Sequence, residues 1–446
     1  MKKIAYLIAL VMLISLFSVI SSGCRGSEDA GGKTVIDYWS IYPDTDEMAP
    51  KHKALIDEFE AKNPDIKVNH HGYNFWDYFT AVNNKLLGGE EIDIFWNDIT
   101  DVKYRAGSEV TLNLNPLIER DGIDLSTWTK STLDTASYEG GLYALPVETD
   151  VRMLFYNKDL FKAAGLDPEK PPKTFEEMKE YAAKMTKDSE NGKSYSQIGF
   201  HPMLGSSQIQ CVLWNMGGEF FDASGKPTLN SSANIKAIQW WIEMNRVFDT
   251  RKNNAFTTEH SDGAAKDQSF QKGVNAMVID ESGLAWRLAK VAPELNYGVA
   301  PIPYNDEKHR TTWSGAFTLE IFNRSSSEKQ EAAWKFMQYM TSEEIQIRFM
   351  NELEFTPANL KALEILKATA NENQKTIIDE FKYARHMQYC KESPQWWGGL
   401  GNDIFNACGE KDKAGKLVDP ATSAKNAADK AQSDLEKAIK EYNDTH

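Results

Sequence analysis

Residues 140–161 read GGLYALPVETDVRMLFYNKDLF. An apolar run at 142–146 stops at Val147-Glu148-Thr149-Asp150, and a second apolar run at 151–156 begins at once. Proline cannot donate to a sheet ladder, so Pro146 belongs at an edge, an end or a bulge rather than inside a central strand. Two carboxylates and an arginine between two strand-like runs allow three readings: catalytic groups, ligand-binding groups or solvated turn residues.

Upstream, residues 33–39 (KTVIDYW) read as a strand. Residues 48–62 carry Leu55, Ile56 and Phe59 at helical spacing and stop before Asn63-Pro64. Residues 66–71 (IKVNHH) alternate like a strand, with His70 and His71 on opposite faces and so unable to chelate one metal together. Residues 77–87 read as a helix ended by Gly88-Gly89, and 92–96 (IDIFW) as a short apolar strand. The order β-α-β-α-β implies a parallel sheet with right-handed crossovers. Ligands of open α/β sheets sit beyond the carboxyl ends of the strands. Those ends here carry Tyr42 and Asp44, then Trp76, then Trp96, Asn97 and Asp98. Each strand end offers an aromatic ring and a polar group, with ordinary core packing as the plain alternative for any single ring.

Downstream, residues 174–177 (TFEE) form a capping box opening a helix to about residue 187. Short strands are expected at 199–201, 275–280 and 297–302, and helices at 235–249 and 328–340. A second capping box reads at 341–344 (TSEE), and a tail helix runs over 423–442. There is no internal repeat.

The N-terminus has Met1-Lys2-Lys3, an apolar run at 4–20 and then Ser21-Ser22-Gly23-Cys24. This is the layout of an export signal. A membrane-spanning anchor is the alternative, for which the run is at the short end. The cysteine after small residues resembles a bacterial lipobox, which makes Cys24 a lipidation site holding the protein at a membrane surface. Residues 25–33 read as a flexible tether. Loss of residues 1–23 would remove two lysines and no acid, taking the formal charge from −15 to −17. A chain this acidic lacks the basic footprint of a nucleic-acid binder. The remaining length, about 420 residues, suits two or three domains. Cys211, Cys390 and Cys408 follow Cys24. A Cys390–Cys408 disulfide is compatible with export, and three buried thiols are the alternative. No Cys/His spacing matches a zinc site.

Glu148 and Asp150 could serve a surface-anchored glycan-degrading enzyme as a carboxylate pair, which requires a separation of roughly 5–10 Å. No GxSxG or HExxH motif is present. Twelve tryptophans and 17 tyrosines fit sugar binding better. Aromatic rings cover the apolar faces of sugars, and carboxylates make strong hydrogen bonds to their hydroxyls. Trp334, inside an amphipathic helix, is expected in the core. Trp396-Trp397, between Pro394 and Gly398-Gly399, are awkward to bury together.

YWSIYPDTDEM, EIDIFWND, the 140–178 segment, NAMVID, YGVAPIP with WSGAFTLEI, and SPQWWGGLGNDIF follow one another in an order that resembles the extracellular solute-binding protein family 1 of ABC importers, the group of the maltose-binding protein. The resemblance covers nearly the whole chain beyond residue 23. It implies an α/β fold of the periplasmic-binding-protein type II, with two α/β lobes, a ligand cleft between them and crossing hinge segments. The lobes would be 34–146 with about 300–340, and 147–299 with about 341–446. It further implies a carbohydrate ligand, ABC permease subunits as partners, a monomer, and no cofactor, metal or catalytic residue. A non-sugar solute is the other binding reading. By matched position Glu148 is a sugar-binding acid at the first crossover. Trp96, Asn97 and Asp98 close the third strand, Trp286 follows the NAMVID strand, and Trp396 or Trp397 is a stacking aromatic. Trp313 and Gly315 form a turn facing the cleft, and Tyr42 and Asp44 the first loop. Asp150 and Arg152 either share the face of Glu148 or pair with each other.

Overall fold

The computed structural model describes residues 32–45, 48–88, 92–261, 268–353, 355–394 and 396–445. Residues 1–23 and Cys24, with their export and lipidation readings, lie outside these. By mutual contacts the chain divides into two compact units. The first holds the chain through Trp96 together with Glu320–Tyr339, and the second holds Asn97–Leu319 and everything from Met340. Residues 97–146 and 300–319 thus group with the second unit, whereas the lobe division drawn from the sequence assigns them to the first lobe.

In the first unit, β1 (Thr34–Ser40), α1 (Ala49–Lys62), β2 (Ile66–Gly72), α2 (Phe75–Gly88) and β3 (Ile94–Asp98) follow the expected order. β1 pairs in parallel with β2 along its whole length, and with β3 at Tyr38↔Ile94 and Trp39↔Phe95. Ile36, Tyr38, Phe59, Ile94 and Phe95 are buried with Phe336 from the helix Ser327–Met340. Phe336 meets the rings of Tyr38 and Phe59 edge-on at 4.9 and 5.0 Å. Trp334 is fully buried. The buried Asp93 carboxylate accepts from Lys329 Nζ (2.9 Å), Ser325 Oγ (2.6 Å) and the Asp37 amide (2.8 Å). A buried ion pair persists only when its remaining hydrogen-bonding capacity is also filled, as it is here.

In the second unit, β4 (Leu145–Thr149) and β5 (Arg152–Asn157) come from the opening stretch. Helices α3 (Phe175–Met185) and α4 (Ser232–Arg246) follow. The Thr174–Glu177 capping box forms. The strand expected at 199–201 lies earlier, at Tyr195–Gln197, and Gly199 is a close-packed bend. β6 (Met277–Glu281) and β7 (Tyr297–Ala300) flank β5 in an antiparallel three-stranded sheet, with Glu281 opposite Arg152. α5 (Leu284–Val291) follows β6.

β8 (Thr312–Trp313) and β9 (Ala316–Ile321) precede β10 (Ala384–Arg385), α6 (Trp396–Cys408) and α7 (Pro420–Thr445). β9 pairs antiparallel with β4, and the register shifts between Phe317 and Thr318, opposite the Pro146 region. Pro146 therefore sits beside a bulge, where its missing N–H is tolerated. At 342, Ser rather than Thr341 takes the N-cap of the helix Glu343–Arg348. Arg246 at the end of α4 donates to the Ala407 and Cys408 carbonyls (2.7 and 3.0 Å) and to Ser423 Oγ. It thereby satisfies the last carbonyls of α6. The three cysteines are free thiols. Among the described residues no helix is long and apolar enough to cross a membrane, and no cluster of side chains could hold a metal ion.

Candidate functional site

The stretch that opened the sequence folds into a strand, a two-residue break and a strand. At the break the backbone is held from several directions. The Thr149 amide donates to Thr356 O (3.0 Å) and the Asp150 amide to Gly315 O (3.2 Å). The Arg152 amide donates to Thr312 Oγ1 (2.8 Å), whose hydroxyl donates back to Arg152 O (2.7 Å). The Gly315 amide donates to Asp150 Oδ1 (2.7 Å). A Cβ at Gly315 would lie 3.3 Å from Asp150 Oδ2, so a larger residue would press on that carboxylate.

Asp150 and Arg152 pair with each other at 2.5 Å. The Arg152 guanidinium also lies 4.1 Å from the Trp313 ring centroid, a cation–π contact, and donates through Nε to Ser206 O (3.3 Å). Glu148 is buried, and its Oε2 has no hydrogen-bond partner among the described residues. Burial first, then the charges of Asp150 and Glu281, push its carboxyl well above the ordinary carboxylate range, against the pull of Arg152. Glu148 is thus biased toward the neutral acid, a donor as well as an acceptor. Asp98 is likewise raised by burial, while its Oδ1 accepts from the Thr100 amide and hydroxyl (2.8 and 2.7 Å). Glu281 closes the group through Arg287 (3.1 Å) and the Gly283 amide.

A cavity of about 420 Å³ opens in the second unit. One wall comes from the segment after β3, with Thr100 and Lys103, and from the helix Lys130–Thr135, with Ser131 and Asp134. The other comes from the end of β10, the segment after it and the start of α6: Arg385, His386, Gln388, Tyr389 and Trp397. β10 is zipped to β8 at Thr312↔Ala384 and Trp313↔Arg385, and the Ser314 amide donates to Arg385 O (2.8 Å). The cavity wall and the Asp150–Arg152–Trp313 group therefore share one backbone pairing. His386 is buried with Nε2 3.1 Å from Thr132 Oγ1, and burial pushes its pKa down to about 4. His386 Nδ1 and Gln388 Oε1 are buried without a partner among the described residues. Trp397 is 39 % exposed.

Glu148, Asp98, Arg152, Trp313 and Gly315 come together around the break. Trp397 lines the cavity. Trp286, on α5, is half-buried against the core beneath β5 and β6. Trp396 is a core residue, edge-on to Phe220 and Phe221 at 4.9 and 5.1 Å, with Nε1 donating to Gln388 O. The adjacent indoles thus divide between core and surface. Asn97 is buried and accepts from the Asp98 amide (2.8 Å).

In the first unit Trp96 is fully buried. Tyr42 is buried too, stacked on His52 at 4.2 Å and edge-on to Trp96 at 5.5 Å. A Cβ on Gly72 would lie 1.9 Å from Tyr42 O, which fixes glycine beneath that loop. The rings at these two strand ends are packing residues here, because each finds an aromatic partner inside. Asp44 is exposed. Trp76 stands in α2, and its side chain lies outside the description. Lys103, Arg385, His386 and Gln388 carried no motif. The Trp-Trp pair pointed to the segment of Arg385, His386 and Gln388, and Trp96-Asn97-Asp98 to that of Lys103.

The family described as "Bacterial extracellular solute-binding protein" matches residues 42–347. A probable amino-acid ABC transporter periplasmic-binding protein of Sinorhizobium fredii is 29 % identical over 249 residues, 52 % of this chain and 51 % of that protein. The arabinooligosaccharide-binding protein of Bacillus subtilis is 26 % identical over 255 residues, 55 % of each chain. The chain spans about half the length of these curated relatives. A Listeria monocytogenes ABC substrate-binding protein, solved with cycloalternan, superposes with a TM-score of 0.71 at 24 % identity, covering 91 % of this chain and 99 % of that one. The fold is that of the type II periplasmic binding proteins.

Proposed function

The chain belongs to the bacterial extracellular solute-binding protein family, and we propose that it captures a carbohydrate, an oligosaccharide, and delivers it to an ABC importer. The observation that carries this reading is the 420 Å³ cavity, with the partly exposed Trp397 indole beside hydroxyl, amide and imidazole groups. An apolar face with a few convergent polar groups is the composition of a small-molecule site. It suits a ring with an apolar face and a hydroxyl rim. Trp397 covers the sugar face, and His386, Gln388 and Thr100 bind hydroxyls. Glu148 and Asp98, both biased toward the neutral acid, extend the polar side, with Arg152, Trp313 and Gly315 as their support. The family resemblance adds Trp286, Asn97, Asp44 and Trp76, whereas Trp96, Tyr42 and Trp396, each packed on aromatic partners in the interior, are left out of the set. The relatives' descriptions, an arabinooligosaccharide binder and a structure with cycloalternan, agree with this ligand class.

Calorimetry against a panel of oligosaccharides tests the proposal. Binding of at least one is expected, and binding of an amino acid, peptide or polyamine with no saccharide binding would overturn it. That non-sugar reading has one observation in its favour, the amino-acid description of the Sinorhizobium relative. Lipidation at Cys24, a monomeric state and the two lobes divided at 146/147 belong to the same proposal. Cys24→Ala is expected to release the protein from the membrane fraction. Hydrogen exchange on both sides of 146/147 is expected to slow when ligand is added.

A further inference from the structure

Lys103 lines the cavity beside Thr100, Ser131 and Asp134. Its ammonium makes no hydrogen bond or ion pair with any described residue. The other charged groups around the cavity are engaged. Asp134 pairs with Lys130 at 2.5 Å. Arg385 is held by both oxygens of Glu219 and lies over Trp214 at 4.4 Å. His386 is kept neutral by burial.

The carboxylates around the adjoining break do not supply a counter-charge. Asp150 is bound to Arg152 and the Gly315 amide, and Glu281 to Arg287. Glu148 and Asp98 are both pushed toward the uncharged acid, by burial above all. Lys103 is partly desolvated, which pushes its amine down against the through-space pull of Asp134. A partly desolvated ammonium that makes no hydrogen bond gains a charge-assisted one when an anion reaches it.

Resting on the carbohydrate reading, we infer that the cavity selects a saccharide bearing an anionic group, a uronate carboxylate or a sulfate ester, held by the Lys103 ammonium while Trp397 covers a ring face. The arrangement distinguishes this ligand from its neutral parent by a single charge-assisted contact.

The test uses the whole protein and matched gluco-, manno-, galacto- and xylo-oligosaccharides, each in neutral, uronate and sulfated form, titrated by calorimetry at low and high salt. The anionic member of the matching series is expected to bind about tenfold more tightly at low salt, with the advantage shrinking as salt rises. The uronate and sulfate arms identify which anion is taken. Lys103→Gln is expected to bring the anionic-to-neutral affinity ratio near one, and Lys103→Arg to retain a preference. Lys193→Met, which removes the same charge from an exposed turn, is expected to leave the ratio in place. Equal or tighter binding of the neutral forms, or a ratio that survives Lys103→Gln in a folded variant, overturns the inference while leaving the carbohydrate reading intact. Absence of binding by every saccharide form overturns both.

Discussion

Two buried carboxylates, one in each unit, have opposite surroundings. Asp93 in the first unit meets an ammonium, a hydroxyl and a backbone amide, all within 2.9 Å. Glu148 in the second unit lies among three further carboxylates, Asp150, Glu281 and Asp98, with one oxygen unpartnered among the described residues. The first arrangement fills every bond that burial demands. The second leaves a polar group desolvated and waiting, which folding alone does not favour. A satisfied buried carboxylate is a structural device, whereas a buried carboxyl with an unpartnered oxygen is a place that another molecule can complete.

Breaking the satisfied group is expected to have the largest effect. Lys329→Met leaves Asp93 buried without its cation and should destabilise folding by about 3–5 kcal/mol, measured by urea unfolding. Adding Asp93→Asn to that variant should recover part of the loss. A loss below about 1 kcal/mol for Lys329→Met would mean that the pair is not the satisfied structural group described. Asp150→Ala tests a mixed case. It strands the Arg152 guanidinium and removes the acceptor of the Gly315 amide, at about 2–3 kcal/mol. If that variant unfolds at the wild-type urea midpoint, the break at 150–151 is not held in the way its hydrogen bonds indicate.

Glu148→Gln should act in the opposite direction. The folded protein holds the Glu148 proton above the pH at which the unfolded chain releases it. Stability therefore falls as pH rises from the ordinary carboxylate range to the raised pKa of Glu148. The amide removes that fall and the like-charge crowding, so the variant should gain about 1 kcal/mol at neutral pH. Its thermal midpoint should also depend less on pH across that window. A lower midpoint at neutral pH would sink the contrast with Asp93.

Much of this was legible in the sequence, because local periodicity determines elements and elements determine topology. The alternation in 66–71 and the spacing of Leu55, Ile56 and Phe59 were enough for the β-α-β-α-β order. Pro146 beside two apolar runs pointed to an interruption at 147–150; residues 147–149 instead continue the strand, and the break falls at Asp150-Val151. Both relations of Asp150 and Arg152, a shared face with Glu148 or a mutual pair, were legible in their spacing. What stayed hidden depends on contacts between distant segments. Nothing near Trp96 in the chain says that Tyr42 will meet it edge-on inside the core. Lys103 carries no motif, and its place at the cavity arises because residues 384–389 and Trp397 line it opposite the segment after β3. Trp396 and Trp397 read as equivalent in sequence, yet a helical turn of α6 sends one ring to Phe220 and Phe221 and leaves the other exposed.

That last pair supplies the smallest expected change in folding and the sharpest separation of structure from function. Trp397 is 39 % exposed, so Trp397→Ala should alter folding stability by no more than about 0.5 kcal/mol. Its ring forms part of the cavity wall, and an aromatic face packed on a ligand is worth about 0.5–1.5 kcal/mol beyond area burial. Oligosaccharide affinity should therefore fall about threefold to tenfold while the urea midpoint stays in place. Were the midpoint to drop instead, with affinity unchanged in the folded fraction, Trp397 would belong with Trp396 among the packing residues. The cavity would then lack the apolar face on which the carbohydrate reading depends.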